Sequence, residues 1–324
     1  MRLPHCAVLA WVLALTQAGA AEMPGDVVVD IEVPPGRMVD VGGYRLHLYC
    51  RGHGRPIVIF DAGLGGFSMD WIFVQGLLEP ETEVCAYDRA GYGWSDTGPA
   101  PRDSDQIATE LAALLKNADL PPPYVLVAHS FGGYNVEVFA KLNPREVAGI
   151  VLVEASHPEQ SERLPHLPAD TERPGRGTLI TFFDPEVVHR HYPEKYWFPI
   201  GGLMSSGKAL RAQQRELRNF EVSAAEVRMG GELPRVPLVV VTRGQRVWPQ
   251  TPLGDTLEKT WAELQHELVL SIPGGQQIIA RHSGHLVHLD EPERVVDAVR
   301  IVLREHCGGT MASAKAAGPA VLNC

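Results

Sequence analysis

Residues 124–133 constrain the fold of this chain more than any other stretch, and they read YVLVAHSFGG. An apolar run is followed by Ser130 and then by Gly132 and Gly133, after which a helical pattern begins. This order predicts a strand, a sharp turn and a helix, because the glycines allow the helix to start close against the sheet.

The predicted turn would present the hydroxyl of Ser130 at the carboxyl edge of a sheet, where open α/β folds bind ligands. It would also place Ser130 at a helix N-terminus, whose dipole and free N–H groups stabilise negative charge. Ser130 is therefore the candidate nucleophile. An ordinary turn that contains a serine has the same local pattern, so other parts of the chain have to support this interpretation.

Apolar runs of strand length alternate with helical patterns along most of the chain. Strands are predicted at residues 37–41, 44–50, 56–60, 83–87, 124–129, 149–153, 237–242 and 276–280. Helices are predicted at residues 71–78, 103–117, 132–142, 257–270 and 290–305, with Asp103 and Gln106 matching a capping box. The alternation predicts an α/β fold with a mostly parallel sheet and helices on both faces.

The interval 157–236 breaks this alternation, because it is far longer than a loop and contains several helical pieces. We interpret it as a cap inserted into a core formed by residues 21–156 and 237–307. Aromatic residues in the cap could line an apolar pocket, although most of them are better explained by packing of the cap onto the core. These aromatic residues are Phe182, Phe183, Tyr192, Tyr196, Trp197 and Phe198.

The charge of the chain limits its partners. The 324 residues carry a formal net charge of −10 and contain no basic run, which argues against binding to nucleic acids or anionic membranes. An apolar content of 45% is ordinary for a soluble globular protein. The oligomeric state cannot be derived from these features.

Residues 1–20 have the pattern of a secretory signal peptide. A weakly basic start is followed by an apolar core from Cys6 to Leu15 and by Ala18-Gly19-Ala20, which fits a cleavage site. We therefore predict cleavage near Ala20 and export to the periplasm or the extracellular space. The apolar run is too short to span a bilayer comfortably, so no stable membrane insertion is expected. An uncleaved anchor or a buried helix is the alternative.

Four cysteines remain after the signal peptide, and an even number in an exported chain permits disulfides. Three pairings are possible. Cys50 and Cys85 could also be small buried residues in strands. Residues 308–324, rich in glycine, alanine and serine, are predicted to form a flexible tail. A bond to Cys307 would tie Cys324 back, whereas the alternatives are a free thiol or an intermolecular bond.

A serine nucleophile requires a base, which is expected on the loop after the last strand. His282, His285 and His288 compete for this role. We favour His285, because the preceding Ser283 and Gly284 give a loop that can bring the imidazole over the sheet edge. His288 lies near a helix start and is expected to pack. No carboxylate or cysteine nearby completes a tetrahedral set, so no metal site is predicted.

Residues 37–305 resemble the α/β-hydrolase superfamily in five places. These are the loop from Gly63, the segment from Asp88 to Asp96, the serine turn, the run Val153-Glu154-Ala155, and Gly284-His285. The resemblance implies the α/β-hydrolase fold, with an eight-stranded sheet and a helical cap inserted after the sixth strand. Two residues depart from the family pattern: Ala62 stands where many members have histidine, and Ala128 where many have glycine.

The acid is predicted to be Glu154. In most members of the superfamily it follows the strand that here ends at Thr242, but no carboxylate follows until Asp255. Glu154 ends the preceding strand, and the strand ends at that edge face the same site. Some haloalkane dehalogenases carry a glutamate there in a similar context. Asp255 stays the alternative acid, although Asp255 and Asp290 are better explained as helix caps.

The resemblance also implies an oxyanion hole built from two backbone N–H groups. One belongs to the residue after the nucleophile, Phe131. The other comes from the loop Gly63-Leu64-Gly65-Gly66, where we choose Leu64 as the donor. A glycine-rich loop can also bind phosphate, but the spacing matches neither of the common phosphate motifs, and no cofactor is predicted.

The family topology places the strands that carry Cys50 and Cys85 side by side. The resemblance therefore favours the pairing Cys50–Cys85, which leaves Cys307–Cys324 as the second pair. In the same family pattern, Asp88 and Arg89 are expected to order their loop and not to take part in catalysis.

The ordered set Ser130, Glu154 and His285 predicts an exported serine hydrolase that cleaves a small-molecule carboxylic ester through an acyl-enzyme intermediate. Dehalogenases and epoxide hydrolases of the superfamily use an aspartate nucleophile, so the serine favours ester chemistry. A non-catalytic binding protein on the same fold is the alternative from another class. A C–C hydrolase, a lyase or a perhydrolase also stays open, because fold does not determine function.

Overall fold

The computed structural model describes residues 34–165, 185–308 and 324. The predicted signal peptide, Phe182 and Phe183 of the predicted cap, and residues 309–323 of the predicted tail lie outside these residues. No helix in the described ranges is long and apolar enough to cross a membrane.

Eight strands form a single sheet. They are β1 (Arg37–Asp40), β2 (Arg45–Arg51), β3 (Ile57–Asp61), β4 (Val84–Tyr87), β5 (Tyr124–His129), β6 (Val147–Val153), β7 (Leu238–Arg243) and β8 (Gln276–Ala280). Their order in space is β1-β2-β4-β3-β5-β6-β7-β8. Strand β2 runs antiparallel to β1 and β4, whereas all other neighbours are parallel. The predicted eight-stranded, mostly parallel sheet is therefore confirmed.

Helices follow most of the strands. They are α1 (Ile72–Leu78), α2 (Ser104–Asn117), α3 (Gly132–Leu142), α4 (Gln160–Arg163), α5 (Pro185–His191), α6 (Trp197–Met204), α7 (Gly207–Arg218), α8 (Phe220–Met229), α9 (Pro252–Leu270), α10 (Val287–Asp290) and α11 (Pro292–His306). Short 3₁₀ turns at Ser68–Trp71 and Glu194–Tyr196 precede α1 and α6.

The side chains of each central strand alternate between two buried faces of the sheet. In β5, Leu126 and Ala128 belong to an apolar core that includes α2 and α3. Their neighbours Val125 and Val127 belong to a second core, which includes α1 and α11. Helices therefore cover both faces, which explains why these strands read as continuous apolar runs.

Helices α4 to α8 lie between β6 and β7, in the interval that was interpreted as a cap; we call residues 157–236 the insertion. Tyr192 and Tyr196 of the insertion are buried in an apolar cluster with Phe67 of the loop after β3 and Phe73 of α1. These two tyrosines pack the insertion onto the core. Phe198, in contrast, is 90% exposed, so it neither packs there nor lines an enclosed pocket.

Helix α9 begins at Pro252, earlier than the predicted start at Leu257. The Thr251 side chain caps the helix by accepting the Gly254 N–H at 3.1 Å, and proline is well suited to a first turn. Asp255 lies inside that first turn, so the prediction that Asp255 caps the helix is wrong.

Two further capping predictions are partly or wholly wrong. Asp103 caps α2 by accepting the Gln106 N–H at 3.0 Å, but the Gln106 side chain donates to Glu110, so only half of the capping box forms. Asp290 is the last residue of α10, and Glu291 is the N-cap residue of α11. Asp290 is therefore not the cap of the final helix.

Two disulfides are present. Cys50 and Cys85 lie opposite each other in β2 and β4, with a Cα–Cα distance of 4.0 Å, and their sulfur atoms are bonded. Cys307, directly after α11, is bonded to Cys324. The pairing favoured by the resemblance is thus the one found.

Candidate active site

Ser130 lies in the sharp turn between β5 and α3 and has a backbone φ of +49°. This left-handed conformation is strained for a residue with a side chain. The Ser130 N–H donates to the Val153 carbonyl at 3.2 Å, and the Ser156 N–H donates to the Ser130 carbonyl at 3.0 Å. The turn is therefore anchored to the end of β6, the neighbouring strand.

The glycines after Ser130 are required by close packing. A Cβ at Gly132 would lie 2.7 Å from the carbonyl oxygens of Asp61 and Ala62, and one at Gly133 would lie 2.8 Å from the Ala155 Cβ. Real Cβ atoms essentially never show contacts this short, and neither the backbone at Asp61 and Ala62 nor the Ala155 Cβ is a flexible group that could move away. Helix α3 can thus start against the sheet only with glycine at these positions.

The loop after β8 brings His285 to the end of β6. The Nδ1 atom of His285 lies 3.2 Å from Oε2 of Glu154. Glu154 directly follows β6, is fully buried and has a φ of +45°. The structure therefore brings together the histidine and the carboxylate that the sequence analysis selected.

The competing candidates lie in other surroundings. His282 is exposed, whereas His288 is buried with its ring 4.8 Å from the Trp71 ring. Asp255 accepts a hydrogen bond from Arg246 at 2.8 Å, and its side chain is exposed. Glu154, and not Asp255, is therefore the carboxylate beside His285.

Glu154 is surrounded by donors. Its Oε1 accepts the backbone N–H of Arg243 at 2.9 Å, while its Oε2 accepts Arg243 Nη1 at 2.5 Å and Trp261 Nε1 at 3.0 Å. Burial by itself would raise the pKa of Glu154, but the Arg243 charge and the hydrogen bond with His285 outweigh burial and hold this pKa below its ordinary value. The carboxylate is therefore ionised although no solvent reaches it.

Three histidine rings lie close together behind the site. The ring of His129, which precedes Ser130, lies 4.7 Å from the His285 ring and 4.4 Å from the His288 ring. The Nε2 atom of His129 also lies 3.0 Å from the His285 carbonyl oxygen. Burial lowers the pKa of His129 well below its ordinary value and that of His288 to about 3. Both are neutral, and His129 links the serine turn to the His285 loop.

The loop after β3 is oriented by Arg89. Its guanidinium donates to the Ala62 carbonyl at 2.5 Å and to the Gly63 carbonyl at 2.8 Å. In a trans peptide the C=O and the following N–H point in opposite directions, so the Leu64 N–H is directed away from Arg89. Arg89 was expected to order its own loop, whereas these contacts lie in the loop after β3, which was predicted to hold an oxyanion.

This loop also lies directly against the serine turn. A Cβ at Gly63 would lie 3.2 Å from the Ser130 Cβ and 2.7 Å from the His129 ring. Phe131 begins the first turn of α3, where backbone N–H groups have no acceptor within the helix. The N–H groups of Leu64 and Phe131 thus belong to the two backbone segments that flank Ser130.

The combination of this sheet, the serine turn and the Glu154–His285 pair agrees with a comparison to known families. The model of the alpha/beta hydrolase family matches residues 53–298 of the chain. The chain belongs to this family.

Several known proteins are similar to this alpha/beta hydrolase in sequence or in structure. The uncharacterized protein YqjL of Bacillus subtilis (strain 168) is 29% identical over 258 residues, which are 79% of this chain and 87% of YqjL. A thermophilic esterase from Thermogutta terrifontis has a TM-score of 0.54 and 22% identity, over 83% of this chain and 98% of the esterase. A bromoperoxidase from Bacillus anthracis has a TM-score of 0.63 and 16% identity, over 83% and 99%. At these identities the solved structures show the fold alone.

In this alpha/beta hydrolase, Arg89 also connects the core to the insertion. It donates to Asp61 at 2.8 Å and, through two nitrogens, to Glu216 of α7 at 2.9 and 3.0 Å. The Tyr92 hydroxyl donates to the same Glu216 carboxylate at 2.8 Å. All four side chains are buried. The sequence offered no signal for Glu216, because it lies 127 residues from Arg89 in the chain.

Asp290 connects the His285 loop to the insertion. One oxygen accepts hydrogen bonds from the Ser283 hydroxyl at 3.0 Å and the Gly284 N–H at 3.2 Å, and the other lies 2.8 Å from Nε2 of His191 in α5. Burial alone would raise the pKa of Asp290, but these partners outweigh burial and lower it. Asp290 therefore supports the loop that carries His285.

Among the described residues, two groups outside the site contain residue types that bind metals, and in one of them both cysteines, Cys50 and Cys85, are joined in a disulfide. The other consists of His157, Glu159 and Glu267. The Nδ1 atom of His157 already accepts the Glu159 N–H at 3.1 Å, so the proton of a neutral ring occupies the other nitrogen. Arg163 pairs with both Glu159 and Glu267, at 3.4 and 2.6 Å. The donor set is thus engaged within the protein and does not fit a metal ion.

Proposed function

We propose that this protein is a serine hydrolase that cleaves a carboxylic ester through the residues Ser130, His285 and Glu154. The observation that carries the proposal is the 3.2 Å approach of His285 Nδ1 to a buried, ionised Glu154. The ring of His285 also contacts that of His129, the residue before Ser130. A serine at the turn favours acyl transfer, because the related epoxide hydrolases and dehalogenases use an aspartate there.

The mechanism follows from these groups. The Nδ1–H of His285 donates a hydrogen bond to Glu154, so the lone pair of the other ring nitrogen can accept the proton of the Ser130 hydroxyl as the oxygen attacks the ester carbonyl. The N–H groups of Phe131 and Leu64 stabilise the negative oxygen of the tetrahedral intermediate. Collapse of the intermediate breaks the bond to the alcohol, which leaves with the proton from His285 and gives the acyl-enzyme.

The second half of the reaction uses the same groups. His285 takes a proton from a water molecule, and the hydroxide attacks the acyl carbon. The intermediate then collapses and releases the carboxylic acid, and His285 returns the proton to the Ser130 oxygen. Glu154 stays ionised throughout and stabilises the imidazolium each time it forms.

We also propose that the protein is exported and acts on a small-molecule ester. The basis is the signal-like sequence of residues 1–20 together with two disulfides, which persist in oxidising compartments. The acidic net charge agrees with a small substrate better than with a nucleic acid.

Labelling with a fluorophosphonate tests this function. The protein from residue 21 onward is expected to be labelled at one serine and to hydrolyse p-nitrophenyl esters of some chain lengths. Ser130→Ala should lose both the label and the turnover, because it lacks the attacking oxygen. Ser156→Ala is the matched control: it changes a buried serine next to the turn and should keep the label.

Two results would contradict the proposal. A folded wild-type protein without label and without ester turnover would favour a binding protein on the same fold. A label that persists in Ser130→Ala would assign the reactive serine to another position.

A further inference from the structure

The end of β7 carries a buried cation, Arg243, whose guanidinium faces the carboxylate of Glu154. The side chain of Arg243 is 4% exposed and that of Glu154 is 0% exposed. Isolated buried charges of this kind are costly unless they are paired and hydrogen-bonded. Each of these two buried charges therefore depends on the other for its compensation.

Arg243 is held in one position by several contacts. Its guanidinium lies over the rings of Trp248 and Trp261, at 4.8 and 5.3 Å from the ring centres. Its Nη2 donates to Glu258 at 3.0 Å, and Glu258 in turn accepts the N–H groups of Val247 and Trp248. The cation is thus fixed before it meets Glu154.

Glu154 receives two hydrogen bonds from this fixed residue, one from the backbone and one from the side chain. They approach different carboxylate oxygens, so they determine the plane of the carboxylate. Oε2, which accepts the side-chain bond, is the same oxygen that lies beside His285 Nδ1. The contacts of Arg243 therefore determine which oxygen His285 meets and from which direction.

We propose that Arg243 is a positioning residue that keeps the Glu154 carboxylate charged and aligned with His285. This inference rests on the proposed function, in which Glu154 orients the catalytic base. Arg243, at the end of β7, thus keeps Glu154, directly after β6, ionised and in position. Trp261, which donates to Glu154 and packs against Arg243, completes the same arrangement.

The surrounding charges determine how activity responds when Arg243 is lost. Glu154 faces Arg243 and His285, and Glu258 faces only the far side of Arg243. Behind His285 are the neutral rings of His129 and His288. Without the guanidinium, no fixed cation among the described residues hydrogen-bonds to Glu154, and burial then favours its protonated form.

The sign of the pH effect follows. Burial raises the pKa of a carboxyl group, so Glu154 in Arg243→Gln would take up a proton at a higher pH than in the wild type. This protonation of Glu154 moves the acidic limb of the activity profile to higher pH and leaves the alkaline plateau unchanged.

The experiment measures the rate of fluorophosphonate labelling and kcat/KM for p-nitrophenyl butyrate between pH 4 and 9. For Arg243→Gln we expect the acidic limb to move up by about 1 pH unit or more, with activity recovering toward the plateau. Arg243→Lys keeps the charge but lacks the planar guanidinium, which donates to Glu154 and Glu258 at the same time. Its acidic limb should therefore stay near that of the wild type while the rate falls. Arg246→Gln is the control, because Arg246 is exposed and pairs with Asp255.

The double variant Glu154→Gln/Arg243→Gln isolates the interaction. Without a carboxylate, removing Arg243 should move the acidic limb little compared with Glu154→Gln alone. An unchanged limb in Arg243→Gln, with activity lowered equally at every pH, would overturn the inference and leave Arg243 a purely structural residue. A limb that moves as far in Arg243→Lys would overturn it as well. A wild-type protein that is not labelled would overturn the proposed function and this inference together.

Discussion

Ser130 and Glu154 share a backbone conformation that residues with side chains seldom adopt. Their φ angles are +49° and +45°, and Asp119 is the only other non-glycine residue with a positive φ in the described part of the chain. Such a conformation costs roughly 1–2 kcal/mol per residue. Both residues directly follow a strand, at the same edge of the sheet, so the strain coincides with the proposed site. At Glu154 the turn brings the carboxylate to His285, on the loop after β8.

The identity of the acid can be tested with Glu154→Gln. This change keeps the shape of the side chain but removes the charge that stabilises the imidazolium, and its amide N–H can donate a hydrogen bond to an unprotonated Nδ1 and so favour the wrong tautomer. We expect kcat to fall by up to roughly 10⁴-fold, with a smaller change in KM. Steady-state kinetics on a p-nitrophenyl ester measure both.

Asp255→Asn is the matched control for this substitution. Asp255 is exposed and bound to Arg246, so its amide variant should retain wild-type kcat. Near-full activity of Glu154→Gln, or a large loss in Asp255→Asn, would show that Glu154 is not the acid.

Sequence reasoning selected Ser130, Glu154 and His285 as candidates because each has a local signal. The serine follows an apolar run and precedes two glycines, the glutamate ends a strand, and the histidine follows a glycine in a loop. Arg243 has no such signal, since its importance comes from meeting Glu154 across two adjacent strands. The only indication in the sequence was negative, namely the absence of a carboxylate after β7.

At the scale of elements, the insertion and the loop after β3 depend on the same residue, Arg89. Its guanidinium binds the carbonyls of Ala62 and Gly63 on one side and Glu216 of α7 on the other. Any movement of α7 therefore acts directly on the backbone segment that is proposed to bind the oxyanion. The coupling is local and consists of hydrogen bonds between buried groups.

Glu216→Gln tests this coupling. The variant leaves the buried Arg89 with Asp61 as its remaining carboxylate partner, and breaking a buried ion pair costs about 3–5 kcal/mol. We expect a loss of about 3 kcal/mol in the free energy of unfolding. We also expect a fall in kcat, because the Gly63 carbonyl and hence the Leu64 N–H are less firmly held. Urea denaturation and steady-state kinetics measure the two effects.

Glu221→Gln provides the comparison, because Glu221 is an exposed residue of the neighbouring helix α8. It should change the free energy of unfolding by no more than about 0.5 kcal/mol. If Glu216→Gln lowers stability but leaves kcat unchanged, α7 stabilises the fold without acting on the loop after β3.

The ends of helices can be predicted from local signals in the sequence. The start of α9 at Pro252 has both of its signals in the sequence, a threonine cap and a proline in the first turn, so the later prediction at Leu257 overlooked local information. The packing of the insertion, in contrast, has no local signal in the sequence. Tyr192 is buried and Phe198 is almost fully exposed, yet both are aromatic residues of the same segment, and only the tertiary contacts distinguish them.

At the scale of the whole molecule, the site exists because β3, β5, β6, β7 and β8 are parallel. Parallel strands end at one edge, so Arg243 at the end of β7 meets the loops of four other residues there, although all five are distant in sequence. The four residues are Leu64, Ser130, Glu154 and His285. This convergence could be predicted from the alternation of strands and helices. The distances between the side chains could not, because they depend on register and on the conformations of the loops.

The antiparallel strands β1 and β2 extend the sheet on the side away from β7 and β8, and the disulfide Cys50–Cys85 joins β2 to β4. Crosslinks of this type stabilise a protein mainly by restricting its unfolded state, typically by about 2–4 kcal/mol. We expect Cys50→Ala/Cys85→Ala to lose about this amount of unfolding free energy, measured by urea denaturation without reductant. Dithiothreitol should destabilise the wild type more than the variant, since the variant has already lost one of the two crosslinks.

The pair Cys307–Cys324 gives an internal comparison of the same effect. Its sequence separation is 17 residues, against 35 for Cys50–Cys85, and halving a closed loop reduces the entropic contribution by about 0.6 kcal/mol. Cys50 and Cys85 also lie within the sheet, whereas Cys307 follows the last helix, so loss of the first pair disturbs more of the folded core. The variant Cys307→Ala/Cys324→Ala should therefore be the more stable of the two double variants. Equal stability of both variants and the wild type would mean that neither crosslink contributes to folding in the purified protein, and the disulfide argument for export would lose its physical basis.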